Sequence, residues 1–94
     1  MSHYVYLLEC SDERGSFYIG YTTDLRRRLA EHNAGEGAKY TRGRTPVTVR
    51  YVELWPTRSA AMSREYELKQ RSRREKEQLV PGSDDRVAVR FDRG

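Results

Sequence analysis

The hydrophobic pattern of the chain changes between two types. Residues 4–10, 16–21 and 47–55 are rich in aromatic and β-branched residues and are bounded by polar, Gly or Pro residues, which predicts three β-strands. Apolar residues spaced three or four apart predict a helix after the second strand, another over residues 59–72 and a short third one over residues 73–80. The predicted fold class is therefore α+β, a small three-stranded antiparallel β-sheet flanked by three helices.

The first two predicted strands form a hairpin, because the linking residues 11–15 are polar and end in glycine. If this loop is five residues long, Tyr6 faces Gly20 and Leu8 faces Tyr18, so the two tyrosines are diagonal neighbours on one face. Their phenol oxygens could then converge on one small group. Gly20, which lacks a Cβ, should leave a hollow beside Tyr6 for that group. A loop one residue longer or shorter would send one tyrosine to the other face.

The third predicted strand is the most hydrophobic of the three, so we expect it at the centre of the sheet. Of the residues on one of its faces, Tyr51 and Trp55 are interpreted as core. Strict alternation places five residues on that face: Val47, Val49, Tyr51, Glu53 and Trp55.

The helix predicted after the hairpin should pack on this sheet. Residues 22–24 can cap it, and Leu25 and Leu29 form its apolar stripe. On a helical wheel His32 lies within that stripe and Arg28 at its edge. A buried charge needs a partner, and a phosphate is one such partner. Alternatively both side chains lie at the rim of the sheet, Arg28 reaching water and His32 bonded to a backbone carbonyl.

The second predicted helix carries a carboxylate on its apolar side. Glu65 lies among Ala61, Met62 and Leu68 on the helical wheel. A buried acid must be ion-paired, protonated or bound to a metal. The residues alone leave two alternatives open, a salt bridge to an inward arginine such as Arg28 and a divalent-cation site.

The distribution of basic residues indicates a candidate surface for binding nucleic acid. The net charge is +4, and all but three of the 18 basic residues are arginine, whose planar fork matches phosphate. The long glycine-containing loop 33–46 interleaves Lys39, Arg42 and Arg44 with Tyr40, a pattern suited to gripping a phosphate and stacking on a base. The alternative is a solvated basic loop with Tyr40 packed on the domain. The basic residues between positions 69 and 76 are interpreted as a solvated helix face.

Other features limit the class of protein. No apolar run is long enough to cross a bilayer, the first residues do not form a secretion signal, and the single Cys10 is expected in the core. We predict a cytoplasmic protein without membrane contact. One domain should span residues 1–82, followed by a charged tail over 83–94 in which residues 87–91 could add an edge strand.

These residues resemble the GIY-YIG nuclease family. The resemblance lies in Val5-Tyr6, in Tyr18-Ile19-Gly20, in an Arg and a His that follow this glycine by eight and twelve positions, and in an isolated Glu on a later helix. The first motif departs from the family, because this chain has Tyr4-Val5-Tyr6 where the family has Gly-Ile-Tyr. The resemblance covers residues 4–80 and is strongest to small stand-alone GIY-YIG proteins. It implies the GIY-YIG nuclease fold.

The resemblance implies a metal-dependent endonuclease that hydrolyses phosphodiester bonds of DNA with Mg²⁺ or Mn²⁺. Glu65 would be the metal ligand, and Gly20 would be structural. The sequence does not decide which tyrosine is the general base. The catalytic residues would be Tyr6, Tyr18, Arg28, His32 and Glu65, and the nucleic-acid contacts Lys39, Tyr40, Arg42, Arg44 and Lys69.

One departure keeps other functions open. Many GIY-YIG proteins carry an asparagine beyond the glutamate that helps close the active site, and this chain has none after Asn33. That absence favours a nucleic-acid-binding module of the same fold without useful catalysis; a third alternative is an adaptor that binds protein or ribosomal RNA through residues 39–44. Without a separate recognition domain, we expect weak sequence preference, a bias toward particular structures or single strands, or a protein partner that supplies specificity.

Overall fold

The elements of the fold follow the predicted order. The computed structural model describes residues 2–80 and the backbone of residues 88–91. The end of the predicted third helix at Pro81-Gly82 and most of the predicted tail lie outside these residues. In chain order the elements are β1 (His3–Cys10), β2 (Phe17–Thr22), α1 (Leu25–Asn33), β3 (Val47–Trp55), α2 (Arg58–Lys69), α3 (Arg73–Glu77) and β4 (Ala88–Phe91). The predicted α+β class, with three antiparallel strands and three helices, is confirmed.

The strands are arranged in the order β2-β1-β3-β4. The first three are antiparallel and β4 runs parallel to β3, so the edge strand anticipated near the end of the chain forms. As expected, β3 is an inner strand, but it shares that position with β1, which is the middle strand of the antiparallel three. The hydrophobic content of β3 is explained by its pairing on both sides, to β1 and to β4. Within the described sheet β2 is an outer strand.

The β1–β2 hairpin has the predicted register, with Tyr6 paired to Gly20. Tyr6 and Tyr18 therefore lie on the same face. The loop is held by Asp12, whose carboxylate accepts hydrogen bonds from the backbone N–H and the hydroxyl of Ser16, at 2.8 and 2.6 Å. This local closure fixes the loop length on which the register depends.

A β-bulge at Arg50 changes which face the β3 side chains occupy. Leu7 pairs with Tyr51 but the next residue, Leu8, pairs with Val49, so β3 contains one extra residue at this point. The prediction that all alternate residues of β3 share one face is therefore wrong. Val47 and Val49 lie with Val52 and Leu54 on one face, and Tyr51 lies with Glu53 and Trp55 on the other.

The two longer helices pack on opposite faces of the sheet. Leu25 and Leu29 of α1 cover the face that carries Tyr6, whereas Ala61 and Leu68 of α2 cover the other face. Cys10, as expected, is a buried core residue. Across residues 2–80 and 88–91, no helix combines the length and the apolar character needed to span a membrane.

Candidate active site

The Tyr6 side chain lies over Gly20 of the outer strand β2. A Cβ at Gly20 would lie 2.3 Å from the Tyr6 hydroxyl oxygen and 2.4 Å from its Cζ. The hollow expected beside Gly20 is thus filled by the phenol itself, which corrects the prediction that a substrate group could occupy it. The absence of a side chain at Gly20 allows a ring that is only 1% exposed to bring its hydroxyl to the edge of the sheet.

His32 connects this phenol to the long loop. Its Nε2 lies 3.0 Å from the Tyr6 hydroxyl oxygen and its Nδ1 lies 2.8 Å from the Thr41 hydroxyl oxygen. Thr41 fixes the tautomer, because its hydroxyl is already used as a donor; Nδ1 therefore carries the ring proton and Nε2 accepts the phenol proton of Tyr6. The Thr41 hydroxyl donates to the Ala38 carbonyl at 3.0 Å and accepts from Nδ1–H. At 3.4 Å the Ala38 N–H is too distant to compete for Nδ1.

Burial sets the charge states of this pair. It raises the pKa of Tyr6 to about 12, although the nearby guanidinium of Arg28 acts in the opposite direction. Burial, followed by the positive charge of Arg28, lowers the pKa of His32 below its ordinary value of 6.5. At neutral pH both side chains are therefore uncharged, with Tyr6 as the donor and His32 as the acceptor.

Arg28 and Glu65 approach the phenol from different helices. Arg28 is partly buried at the edge of the α1 stripe, as predicted, and its Nη1 pairs with Glu31 at 3.1 Å. Glu65, on α2, has a side chain that is 16% exposed and pairs with the Lys69 Nζ at 3.5 Å. Of the alternatives left open by the sequence, a salt bridge between Arg28 and Glu65 is not formed, since each has another partner.

Glu65 nevertheless acts electrostatically on Tyr6. Its negative charge lies close enough to the phenol to raise the pKa of Tyr6 further, although burial and the other phenol have larger effects. The apolar arc around Glu65 is narrower than the helical wheel indicates, because Met62 is exposed. The Tyr6 hydroxyl itself lies beside Gly20 of the outer strand β2.

Tyr18 joins the buried cluster to the surface. The centroid of its ring lies 6.5 Å from that of Tyr6 and 5.3 Å from that of His32. The Tyr18 ring also stacks on Tyr40, with centroids 6.0 Å apart and planes 26° from parallel. Tyr18 and Lys69 line one groove. The two phenols therefore differ in environment: Tyr6 is buried, whereas Tyr18 is partly exposed at this groove.

The predicted nucleic-acid loop contains both exposed and anchored side chains. Lys39 and Arg42 are exposed, and the Tyr40 side chain is 44% exposed. The Arg44 guanidinium lies 4.5 Å from the Tyr40 ring centroid, donates to the Tyr40 carbonyl at 2.6 Å and pairs with Asp12 at 3.4 Å. Arg44 therefore fastens the loop to the hairpin. Its predicted contact with nucleic acid would have to compete with these bonds.

Thr41 is a site residue that the sequence did not identify. It is fully buried and is the partner of His32 Nδ1. Gly37 contributes to the same arrangement, because a Cβ there would lie 2.4 Å from that nitrogen. Neither residue has a recognisable sequence signal, since both lie in an irregular loop where no periodicity assigns a side chain to a face.

A second buried carboxylate, Glu53, was also missed. It is fully buried and forms two hydrogen bonds with Arg64, both 2.8 Å, while accepting from Trp55 Nε1 at 2.9 Å and from the Tyr51 hydroxyl. Burial alone would raise the pKa of Glu53, but the bonds from Arg64 and the two aromatic residues outweigh it and the pKa is lowered. Every strong acceptor position is used, so Glu53 is a structural carboxylate on the α2 face.

The metal site implied by the family resemblance was tested against the donor set. In the described part of the chain, no three His, Cys, Asp or Glu side chains converge as a metal cluster. Mg²⁺ is often held by only one or two carboxylates, with water and substrate phosphate completing the shell. Glu65, paired with the exposed Lys69, is a carboxylate of this kind. The residues present therefore fit a Mg²⁺ or Mn²⁺ ion that binds together with a phosphate.

Comparisons with known proteins identify relatives of this chain by sequence and by fold. Residues 2–78 match the family model described as GIY-YIG catalytic domain. A UPF0213 protein from Halobacterium salinarum is 64% identical over 77 residues, covering 82% of this chain and 97% of that protein. A UPF0213 protein from Streptococcus pneumoniae is 53% identical over 88 residues, covering 94% and 87%. The solution NMR structure of a protein from E. faecalis is similar, with a TM-score of 0.57 and 50% identity over 83% of this chain and 81% of that one.

Proposed function

This chain belongs to the GIY-YIG family, and from that premise we propose that it is a divalent-metal-dependent endonuclease that hydrolyses phosphodiester bonds of DNA. The observation that carries the proposal is the hydrogen bond between Tyr6 and His32, with the charges of Arg28 and Glu65 both close enough to act on the same phenol. Water activation needs a proton acceptor, and phosphate chemistry needs fixed positive charge. The four side chains together supply these functions.

In the proposed mechanism Tyr6 contacts the attacking water and His32 accepts the proton. With a pKa of about 12, Tyr6 is a poor source of phenolate by itself. Its proton already bonds to Nε2, however. As the water oxygen bonds to phosphorus, one water proton moves to the Tyr6 oxygen while the phenol proton moves to His32. The bond from phosphorus to the 3′ oxygen breaks, and the leaving oxygen takes a proton from solvent. Thr41 holds the resulting imidazolium through Nδ1–H.

Arg28 and Glu65 have separate tasks in this proposal. Arg28 stabilises the additional negative charge on the phosphorus oxygens, because its planar fork can bond two of them. Glu65 holds the Mg²⁺ or Mn²⁺ ion. When bound, such an ion would supply Lewis-acid charge that offsets the negative charge of the reacting phosphate. Tyr18 contacts the substrate at the surface, together with the exposed residues Lys39, Tyr40, Arg42 and Lys69.

A nicking assay tests the proposal. Supercoiled plasmid and a labelled single strand would be incubated with wild type, Glu65→Gln and Tyr6→Phe in Mg²⁺. We expect each variant to lose about 100-fold or more in rate, the usual size when a catalytic proton or charge contact is removed. The matched control is Glu67→Gln on the same helix, whose carboxylate is exposed and bonds Arg64. Activity that survives Glu65→Gln unchanged would refute the assignment of the site.

The second candidate is a nucleic-acid-binding module of the same fold without catalysis. The absence of any asparagine after Asn33 favours it, because many family members use a later asparagine to close the active site. Binding of DNA without cleavage in Mg²⁺ or Mn²⁺, by protein that is folded, would support this candidate. In either case we expect a cytoplasmic protein with weak sequence preference, which a protein partner could supplement.

A further inference from the structure

A groove extends from the candidate site to α3 and the hairpin loop; we refer to it as the basic groove. Its distal part is lined by Arg14, Ser16, Phe17, Tyr40, Arg73 and Lys76. The part nearer the site shares Phe17, Tyr40 and Lys76 and reaches Tyr18 and Lys69. Because Tyr18 contacts His32 and Lys69 pairs with Glu65, the groove ends at the candidate site.

The basic groove carries a concentrated positive charge. Among the described residues that line it, four are basic and none is acidic. Arg73 donates to the carbonyl of Arg14 at 2.7 Å, lies 4.8 Å from the Phe17 ring centroid and pairs with Glu77 at 3.7 Å, so it builds the wall between loop and helix. The sequence pattern had assigned Arg73 and Lys76 to a solvated helix face. Their position beside Tyr40 instead gives the groove the charge that a phosphate backbone needs.

Tyr40 indicates which kind of nucleic acid fits the basic groove. Its ring is 44% exposed and is held in place by Tyr18 and Arg44. An exposed aromatic ring among basic side chains is the arrangement that binds an unstacked base while the cations follow the backbone. In a duplex each base is stacked on its neighbours and cannot reach such a ring. The combination therefore favours a single strand over a duplex.

We propose that the basic groove binds a single-stranded segment of nucleic acid and leads it to the candidate site. The inference rests on the proposed function, because this strand would be the substrate. The binding itself requires no catalysis and is measured without it.

The charge of the groove is tested by binding in EDTA, where no metal-dependent cleavage occurs. Fluorescence anisotropy would compare a labelled mixed-sequence single strand with the corresponding duplex over a series of salt concentrations. We expect tighter binding of the single strand, and for Arg14→Ala/Lys76→Ala a salt slope about 1.4 smaller with roughly 25-fold weaker binding at 0.1 M salt. The matched control is Arg26→Ala/Arg58→Ala, which removes the same charge at the other end of the sheet. It should leave the salt slope nearly unchanged.

The proposed stacking of a base on Tyr40 is tested by Tyr40→Ala. Loss of one base-stacking ring should weaken single-strand binding at least about fivefold and duplex binding much less. Tyr66→Ala is the control, because Tyr66 is an even more exposed tyrosine on α2. Should circular dichroism show that Tyr40→Ala does not fold, Tyr40→Leu keeps apolar contact but removes the stacking face, and the same loss is expected.

Either of two results would overturn the inference: equal affinity for single strand and duplex, or equal weakening by the groove and control variants. The proposed function fails separately. Groove-dependent binding by a wild type that cleaves in neither Mg²⁺ nor Mn²⁺ would refute the nuclease and leave the groove assignment standing. Cleavage by the wild type, together with unaltered binding in all groove variants, would support the nuclease and refute the groove assignment.

Discussion

Replacing Gly20 with alanine should destabilise the domain and separate Tyr6 from His32. The new Cβ would lie 2.3 Å from the Tyr6 hydroxyl oxygen, well inside the contact distance of the two atoms. The ring is buried between the sheet and α1, so it has no free volume to move into. Overpacking of this kind costs about 1–3 kcal/mol.

Two further contributions change the expected loss in the free energy of unfolding. If the phenol is displaced, Nε2 of His32 loses its bond at 3.0 Å, and a buried group left unsatisfied costs about 1–3 kcal/mol. Against this, alanine in a strand is favoured over glycine by about 0.5–1 kcal/mol. The net loss in the free energy of unfolding should therefore be about 1–5 kcal/mol. In a domain of this size each kcal/mol lowers the melting temperature by about 4–8 °C.

Urea unfolding followed by circular dichroism measures this loss. The same substitution made in a Tyr6→Leu background supplies the control, because the ring that Cβ would strike is then absent. We expect the penalty of Gly20→Ala to be smaller there by about 1 kcal/mol or more. A penalty within about 0.5 kcal/mol of zero in the wild type, or the same penalty in both backgrounds, would refute the argument.

Two other predictions concern buried titratable groups. The pKa of His32 is lowered in the folded state, so the contribution of the neutral imidazole to stability is complete above pH 6.5 and is lost as the pH falls from there toward the folded pKa. NMR titration of the imidazole should give a midpoint below 6.5. A midpoint at or above that value would contradict the prediction. Glu53→Gln should lower the free energy of unfolding by about 3–5 kcal/mol because it leaves the charge of Arg64 buried without its partner. Glu67→Gln removes an exposed partner of the same arginine and should cost under about 1 kcal/mol, and equal losses from the two variants would disprove the distinction.

The sequence predicted those features that depend on a regular period. The alternation of the hairpin strands, together with a loop length of five residues read from the sequence, correctly placed Tyr6 opposite Gly20. The helical wheel put His32 on the buried side of α1. The bulge at Arg50 was not predictable, because an extra residue leaves no trace in an alternating pattern that is apolar on both faces.

Features that depend on long-range packing were also beyond the sequence. The wheel identified Glu65 as an inward acid, yet the fully buried carboxylate is Glu53, which the alternation of β3 placed on one face without indicating its burial. Its partner Arg64 comes from another element. Thr41 likewise reaches His32 from a loop without periodicity. The environments of the two phenols could be distinguished only after the chain was folded.

The attachment of α1 and α2 to opposite sides of the sheet has a mechanical consequence. Arg28 and Glu65 are joined through the strands between them rather than across a shared helical seam, so the sheet acts as a spacer of fixed thickness. A clamp built in this way cannot close by sliding one helix along the other. Any tightening around a molecule bound between them would have to come from side chains or from the loop that carries Thr41.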